Sequence, residues 1–296
     1  MGGVAFFDSG IGGLTVLNEC RKNVQGETFY YYGDNHHAPY GNLSPKKIRR
    51  YVFRAFRLFH RLKVDAAVLA CNTATALCID RLRKKFSFPI IGVEPAVSLG
   101  IDTEGKVFVL VTRATYNNKR FQSLCQNVFA RADLLKTEWK VFPCDGLAGE
   151  IERHILDSDH DYTPFLPRGE PSAVVLGCTH YSYLKTYITN FYSCCVLDGN
   201  KGVAKRLNEV LFLKNRMQNA DDRDGRPPRR KKGYFRPFLS TFFIEKVRRI
   251  KTNKRSCFLS RKKSGKSYTV EGVEIYFLGK NASKNASIYK QMFGFE

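Results

Sequence analysis

The chain of 296 residues is long enough to bury one large hydrophobic core or two of moderate size, and we expect two. Its 43% hydrophobic and 26% charged residues are typical of a globular protein and exclude wholesale disorder. No apolar stretch reaches the roughly 18 residues of a membrane span. No signal peptide precedes the first strand pattern, so we expect a cytoplasmic protein.

The formal net charge of +22 is distributed very unevenly along the chain. From Arg223 to Lys266 there are 17 Lys and Arg against 2 acidic residues, so this segment carries +15 of the total. Within it, apolar residues recur at three- and four-residue spacing from Phe235 to Ile250, which predicts a basic amphipathic helix. We expect a solvated appendage, with contact to nucleic acid or an acidic membrane surface through residues 223–266 as the alternative.

The cysteine content indicates the redox state of the chain. Nine cysteines are an odd number, and in a chain expected to remain in the cytoplasm they predict free thiols rather than a disulfide framework. Free cysteines in such chains are mostly small buried packing residues. We expect that role for Cys20, Cys78, Cys125 and Cys144.

Short apolar runs alternate with helical patterns along the first two thirds of the chain. Residues Val4 to Phe7 are followed by a turn that begins at Asp8 and by a helical pattern from Leu14. The same order of strand, turn and helix recurs at three further apolar runs: Ala66 to Leu69, Val107 to Val111, and Ala173 to Leu176. This alternation predicts parallel strands joined by crossover helices, which is an α/β fold.

Two of these units are similar to each other. DAAVLACNT at 65–73 and SAVVLGCTH at 172–180 both end in a cysteine followed by short polar residues. A weaker pair is formed by residues 4–9 and 108–113. We therefore predict two similar parallel-sheet α/β halves, related by pseudo-two-fold symmetry, with the active site between them.

The predicted organisation has five parts, in chain order: a first α/β domain (1–98), a second α/β domain (99–200), a helix returning to the first domain (201–216), a basic insertion of unknown structure (217–268), and a C-terminal strand and helix packed on the first domain (269–296). In the insertion, Asp221-Asp222 and Pro227-Pro228 predict an exposed linker in place of a helix. The last strand is expected at Val273 to Leu278, and the last helix from Ser287.

Cys71 and Cys178 each follow a buried strand, at the edge where parallel α/β folds bind their ligands. Helix N-termini at that edge present unpaired backbone N–H groups to anions. The short polar residues that follow each cysteine suit helix capping and carboxylate binding. These features predict a site for a small carboxylate-bearing substrate.

Racemisation of an amino acid without pyridoxal phosphate needs a base on one face of the α-carbon and an acid on the other. Two cysteines can fill both roles, because a helix N-terminus or a cation lowers a thiol pKa from about 8.5 to roughly 3.5–7.5. We predict Cys71 and Cys178 as this pair. Asp8 is expected to adjust the proton affinity of Cys71, and His180 or Glu152 that of Cys178.

Several short motifs now point to a known family. In chain order they are DSGIGGL at 8–14, GD at 33–34 followed by PYG at 39–41, ACNTA at 70–74, GVEPA at 92–96, and LGCTHY at 176–181. With these motifs over about residues 4 to 213, the chain resembles glutamate racemases of the aspartate/glutamate racemase superfamily. The resemblance implies interconversion of L- and D-glutamate without a cofactor, supplying D-glutamate for peptidoglycan synthesis.

The resemblance also assigns roles to matching positions. It makes Cys71 and Cys178 the two acid/base residues and Glu152 a supporting acid, and it assigns Asp8 and His180 to both catalysis and substrate binding. The other substrate-binding residues that it implies are Ser9, Tyr40, Gly41, Asn72, Thr73, Thr112, Thr115 and Thr179. The expected partner is glutamate as a small-molecule substrate, and formation of a homodimer is left open.

Other functions are less well supported by the residues. Cys178 and His180 lack a second ligand pair at a spacing typical of zinc, and the glycines after Asp8 lack the spacing of a dinucleotide loop. We therefore expect no metal and no cofactor. The nearest alternative is a racemase of aspartate or a related acid, and an inactive relative that binds nucleic acid is the alternative from another class.

Overall fold

The computed structural model describes residues 2–24, 26–132, 137–224, 267–270 and 273–293. Most of the basic segment, including the amphipathic helix predicted from Phe235 to Ile250, lies outside the described residues, so its surface role stays a prediction. Within the described residues, no helix combines the length and the apolar character needed to cross a membrane. The eight cysteines in this part of the chain are all free thiols, as predicted, while Cys257 lies outside it.

The first half is built on a six-stranded sheet with the strand order β4-β3-β1-β2-β10-β9. Its strands are β1 (Val4–Asp8), β2 (Phe29–Gly33), β3 (Ala66–Leu69), β4 (Ile90–Gly92), β9 (Ser267–Val270) and β10 (Val273–Leu278). All neighbours pair in parallel except β9, which pairs antiparallel with β10. The sheet is therefore parallel, with one antiparallel strand at its edge that the sequence analysis did not predict.

The second half has a four-stranded sheet with the order β6-β5-β7-β8, in which every described pair is parallel. Its strands are β5 (Gly105–Val111), β6 (Thr137–Pro143), β7 (Ala173–Leu176) and β8 (Cys195–Leu197). The two parallel-sheet halves confirm the predicted fold class.

Helices connect the strands and cover the sheets. They are α1 (Gly13–Asn23), α2 (Pro45–Leu62), α3 (Asn72–Lys85), α4 (Arg113–Tyr116), α5 (Lys119–Ala132), α6 (Leu147–His154), α7 (Lys185–Tyr192), α8 (Asn200–Asp224) and α9 (Ala282–Phe293). Helix α2 shows how local sequence sets these bounds, because Ser44 caps its first turn and Lys63 ends it in the left-handed conformation at φ 55°.

The central strands have no exposed face. Every residue of β1, β3 and β7 is buried, which is why these strands are continuous apolar runs without alternating polar residues. Their carboxyl ends lead into the segments that begin at Asp8, Cys71 and Cys178. Burial of the strands therefore fixes the positions from which the polar residues of the site extend.

Helix α8 returns the chain to the first half and packs against α1, with Leu207 fully buried in their shared core. It runs from Asn200 to Asp224, so the expectation that the helix would end at 216 and give way to a linker was wrong. The reason lies in the sequence, because no glycine or proline follows Gly202 until Gly225, and the acidic pair at 221–222 is tolerated in a helix. The last helix likewise begins at Ala282 and not at Ser287.

Replacing Leu207 by alanine is expected to lower the free energy of unfolding by about 2–5 kcal/mol, because it leaves a cavity between α8 and α1. Leu213, on the same helix and 39% exposed, provides the matched control, and Leu213→Ala should change it by only about 0.5 kcal/mol. Urea denaturation of both variants measures the difference. Equal destabilisation by the two substitutions would contradict this packing of α8.

Candidate active site

Cys71 and Cys178 lie at matching positions in the two halves. Cys71 follows β3 and caps α3, and Cys178 follows β7 and precedes the short 3-10 helix Thr179–Leu184. Both line one cleft between the halves, which encloses about 270 Å³ of space, including its open mouth.

The cleft brings together ten of the residues expected at the site. They are Ser9, Tyr40, Gly41, Cys71, Asn72, Thr73, Thr112, Cys178, Thr179 and His180. Asp8, Thr115 and Glu152 do not line it and instead bond to residues that do. Pro39 and Ala148 also line the cleft; sequence reasoning did not single them out as site residues, because neither carries a reactive or polar side chain.

The Cys71 thiol is buried and lies 3.5 Å from the Ser9 hydroxyl oxygen. Burial, and then the charge of Asp8, raise the pKa of Cys71 well above its ordinary value, although the contact with Ser9 and the helix backbone act in the opposite direction. The position at the N-terminus of α3 was expected to favour the thiolate, but desolvation outweighs it. In this structure Cys71 is therefore held as a neutral thiol.

Cys178 has a different environment, because its sulfur lies 3.8 Å from Nδ1 of His180. The other ring nitrogen of His180, Nε2, lies 2.8 Å from Oε2 of Glu152. Burial acts to lower the pKa of His180, but the contacts with Cys178 and Glu152 outweigh it and raise that pKa well above its ordinary value. An imidazolium at His180 donates to Glu152 and directs its positive charge toward the sulfur of Cys178.

Glu152 contacts His180 and not Cys178 itself. Its Oε2 also accepts a hydrogen bond of 3.0 Å from the backbone N–H of Ile11, and Asn35 donates its side-chain amide to Oε1. Burial acts to raise the pKa of Glu152, but the hydrogen bond from His180 and its charge leave the pKa below the ordinary value. Sequence reasoning missed Asn35, because no local motif links a loop after β2 with helix α6.

Asp8 lies beneath the cleft, fully buried, and joins the two halves. Its Oδ1 accepts from the backbone N–H of Gly10 at 2.9 Å, and its Oδ2 accepts from the Thr179 hydroxyl at 3.1 Å. Burial raises the pKa of Asp8 above its ordinary value, against the opposing charge of His180. No hydrogen bond joins Asp8 to Cys71, so it acts on that thiol through its charge and not by contact.

The glycine-rich turn after β1 packs closely against the second half. A Cβ atom on Gly12 would lie 2.5 Å from the hydroxyl oxygen of Thr179 and 2.7 Å from Nδ1 of His180, which real side chains do not tolerate. Glycine is therefore needed at this position for the close approach of the two halves.

Three threonines form a hydroxyl cluster at the cleft, of which Thr73 and Thr112 line the wall and Thr115 lies behind them. The hydroxyl oxygens of Thr73 and Thr112 are 3.1 Å apart, those of Thr112 and Thr115 are 3.0 Å apart, and Thr112 also accepts from the backbone N–H of Thr115 at the start of α4. The cluster spans both halves. Hydroxyl groups next to the N-terminus of α3 form a suitable environment for a carboxylate.

The remaining polar residues of the cleft are held by partners outside it. Tyr40 donates its hydroxyl to Oδ2 of Asp34 at 2.7 Å, and Asn72 donates its amide to the carbonyl of Val93 at 3.3 Å. Asp34 also lies 2.9 Å from Nδ1 of His37. These contacts fix the orientation of Tyr40 and Asn72 before any ligand binds.

Comparison with known proteins now decides the family. A family model described as Asp/Glu/Hydantoin racemase matches residues 13–207. The chain belongs to this racemase family. Glutamate racemase from Clostridium novyi is 34% identical over 75% of this chain and 88% of the relative. The resemblance inferred from the motifs is thereby confirmed.

Solved structures of the racemase family share the fold. Glutamate racemase from Escherichia coli, solved with L-glutamate and the activator UDP-MurNAc-Ala, is 29% identical with a TM-score of 0.63, over 72% of this chain and 83% of that one. The enzyme from Francisella tularensis, solved with D-glutamate, is 26% identical with a TM-score of 0.60, over 72% and 82%.

The charge state of His180 in this racemase-family chain is directly measurable. Because contacts with Cys178 and Glu152 raise the pKa of His180, its ring should stay protonated above the ordinary histidine pKa of about 6.5. The ¹⁵N chemical shifts of the His180 ring, followed across a pH titration, report its protonation state. Glu152→Gln should lower the pKa of His180, whereas Glu150→Gln, on the same helix but facing His160, should leave it unchanged. A neutral His180 in the wild type near pH 7 would contradict the assignment.

Proposed function

We propose that this chain interconverts L- and D-glutamate without a cofactor, with Cys71 and Cys178 as the acid and the base. The observation that carries the proposal is that two cysteines from equivalent positions of two similar halves line one small cleft. Inversion at the α-carbon needs a proton removed on one face and delivered on the other. Two thiols that approach from opposite halves meet this need.

The two cysteines have complementary environments before substrate binds. Cys71 is a neutral thiol, because burial and the charge of Asp8 raise its pKa. Cys178 instead faces the His180 imidazolium, whose Nδ1 lies 3.8 Å from its sulfur. We infer that Cys178 removes the α-proton of one enantiomer while Cys71 donates its own proton to the opposite face.

The proton balance of this step is simple. The Cα–H bond breaks, its proton moves to the Cys178 sulfur, and the S–H proton of Cys71 forms the new Cα–H bond. Cys71 is then the thiolate and Cys178 the thiol, which is the state that acts on the other enantiomer. The enzyme returns to its first state by reaction in reverse or by proton exchange with water, so no net proton is consumed.

The wall of the cleft supports binding of a dicarboxylate. The hydroxyls of Thr73 and Thr112 and the N-terminal N–H groups of α3 offer hydrogen-bond donors for a carboxylate. Glutamate is favoured over aspartate because the relatives at about one third identity are named glutamate racemases, and two structural relatives were solved with L- and D-glutamate. Aspartate remains the alternative substrate, and the experiment must distinguish it from glutamate.

Incubation of the purified chain with L-glutamate in D₂O is the direct test. We expect D-glutamate to form and both enantiomers to acquire α-deuterium, because the proton delivered to the second face comes from a thiol that exchanges with solvent. Aspartate assayed in parallel should be turned over far more slowly. A folded enzyme that neither inverts glutamate nor exchanges its α-proton would refute the proposal. Faster turnover of aspartate than of glutamate would assign aspartate as the substrate.

The same assay separates the two cysteines from ordinary buried thiols. Cys71→Ala and Cys178→Ala should each lower racemisation by on the order of 10³-fold or more, because each removes one of the two proton-transfer groups. Cys78→Ala provides the matched control, since Cys78 is also buried and lies on α3 behind Cys71. Near-normal racemisation by either of the first two variants would exclude the two-thiol scheme.

We further propose that the D-glutamate serves peptidoglycan synthesis in the cytoplasm. The support is that the Escherichia coli relative was solved with an activator containing N-acetylmuramic acid, a sugar of peptidoglycan. Expression of this chain should restore growth of a bacterium that requires added D-glutamate, whereas the Cys71→Ala variant should not. If the enzyme is active but does not restore growth, this cellular role is refuted, while the proposed reaction still stands.

A further inference from the structure

A second group of ionisable side chains lies outside the cleft, at the C-terminal end of α6. Glu150 and His154 are one helical turn apart on α6, and His160 approaches them from the loop that follows. Ligand atoms of the three residues all lie within 4.8 Å of one another. None of them lines the cleft described above.

The distances within this trio suit a single ion. Oε1 of Glu150 lies 2.9 Å from Nε2 of His160 and 3.5 Å from Nε2 of His154. Ligand atoms at zinc-bond lengths in a tetrahedral shell are about 3.3 Å apart, so these separations lie on either side of the required value. The two imidazole rings stack nearly in parallel with centroids 4.0 Å apart, so one ring must turn about its side-chain bonds for both nitrogens to bind one ion.

One atom of the trio has no hydrogen bond among the described residues. Nε2 of His160 is buried, and although it is close to Glu150 its geometry does not form a hydrogen bond. A buried ring nitrogen without a hydrogen bond is costly, and the cost is removed if the nitrogen is a metal ligand. Nε2 of His160 is therefore suited to bind an ion at the centre of the trio.

Neighbouring groups hold the trio in place. Nδ1 of His154 faces the carboxylate of Asp157 at 3.9 Å, which leaves Nε2 free to coordinate. The hydroxyl of Tyr162 donates to the carbonyl of His154 at 3.2 Å. After His160, the Tyr187 hydroxyl donates to Asp161 at 2.7 Å and accepts from the backbone N–H of Tyr162 at 3.1 Å. The loop that carries His160 is therefore fixed from both sides.

We propose that Glu150, His154 and His160 bind a zinc ion. Two imidazole nitrogens and one carboxylate oxygen are ligands that zinc favours, and three protein ligands leave a fourth position for water. Arg153 pairs with Oε2 of Glu150, while Oε1 of the same carboxylate is directed to the two histidines. The site is distinct from the cleft, and zinc bound there takes no part in racemisation.

Zinc at this position would connect the end of α6 to the loop that follows it. The same short helix carries Glu152, whose side chain bonds to His180 in the cleft. The ion is therefore expected to raise the thermal stability of this region, because it binds the folded arrangement and not the unfolded chain.

Calorimetric titration of the metal-free, full-length chain with Zn²⁺ tests the site. We expect one ion per chain at the trio. His154→Gln and His160→Ala should each weaken binding by about tenfold or more, and Asp157→Asn by a smaller factor, because it removes only an orienting partner. His60→Ala, which removes an exposed histidine from α2, is the matched control and should bind as the wild type does.

The active-site thiols are the competing ligands, so the titration is repeated with the Cys71→Ala/Cys178→Ala double variant. Zinc binding that persists there and is lost in His160→Ala supports the proposal. Circular dichroism checks folding, and a fall in affinity must appear in both histidine variants to count as support. The proposal is overturned if the wild type binds no zinc, if either folded histidine variant binds as tightly as the wild type, or if the double variant loses the ion.

Discussion

The site depends on two buried carboxylates that cross the boundary between the halves. Asp8, from the first half, accepts a hydrogen bond from Thr179 of the second. Glu152, from the second half, accepts from the backbone of Ile11 and from Asn35 of the first. Buried carboxylates are costly unless their oxygens are paired, so each half is incomplete without the other. This mutual requirement fixes the distance and orientation at which the two cysteines face one cleft.

The same contacts make two similar halves electrostatically different. The carboxylate on the Cys71 side is near the thiol and has no imidazole between them, so burial and negative charge keep Cys71 protonated. On the other side, His180 lies between Glu152 and Cys178 and carries positive charge next to the sulfur. The two cysteines of the proposed mechanism therefore lie in different electrostatic surroundings, although the halves that carry them are similar.

Sequence patterns were sufficient where a property depends on neighbours along the chain. Apolar runs of four or five residues predicted the buried strands, because a parallel strand covered on both faces has no polar alternation. The repeated cysteine segments predicted that Cys71 and Cys178 end equivalent strands. Helix α8 extends beyond its predicted end at 216, because the acidic pair at 221–222 is tolerated in a helix and no helix breaker follows Gly202 before Gly225.

The amino-acid sequence by itself determined the strands, the two halves and the residue types at their edges, since periodicity and turn chemistry are local. Only the tertiary structure decided that Glu152 reaches Cys178 through His180, that Asn35 supports Glu152, and that Cys71 is a neutral thiol. It also brought His160 against Glu150. Each of these depends on which residues distant in sequence become neighbours and how far they are removed from water, and no local pattern encodes either quantity.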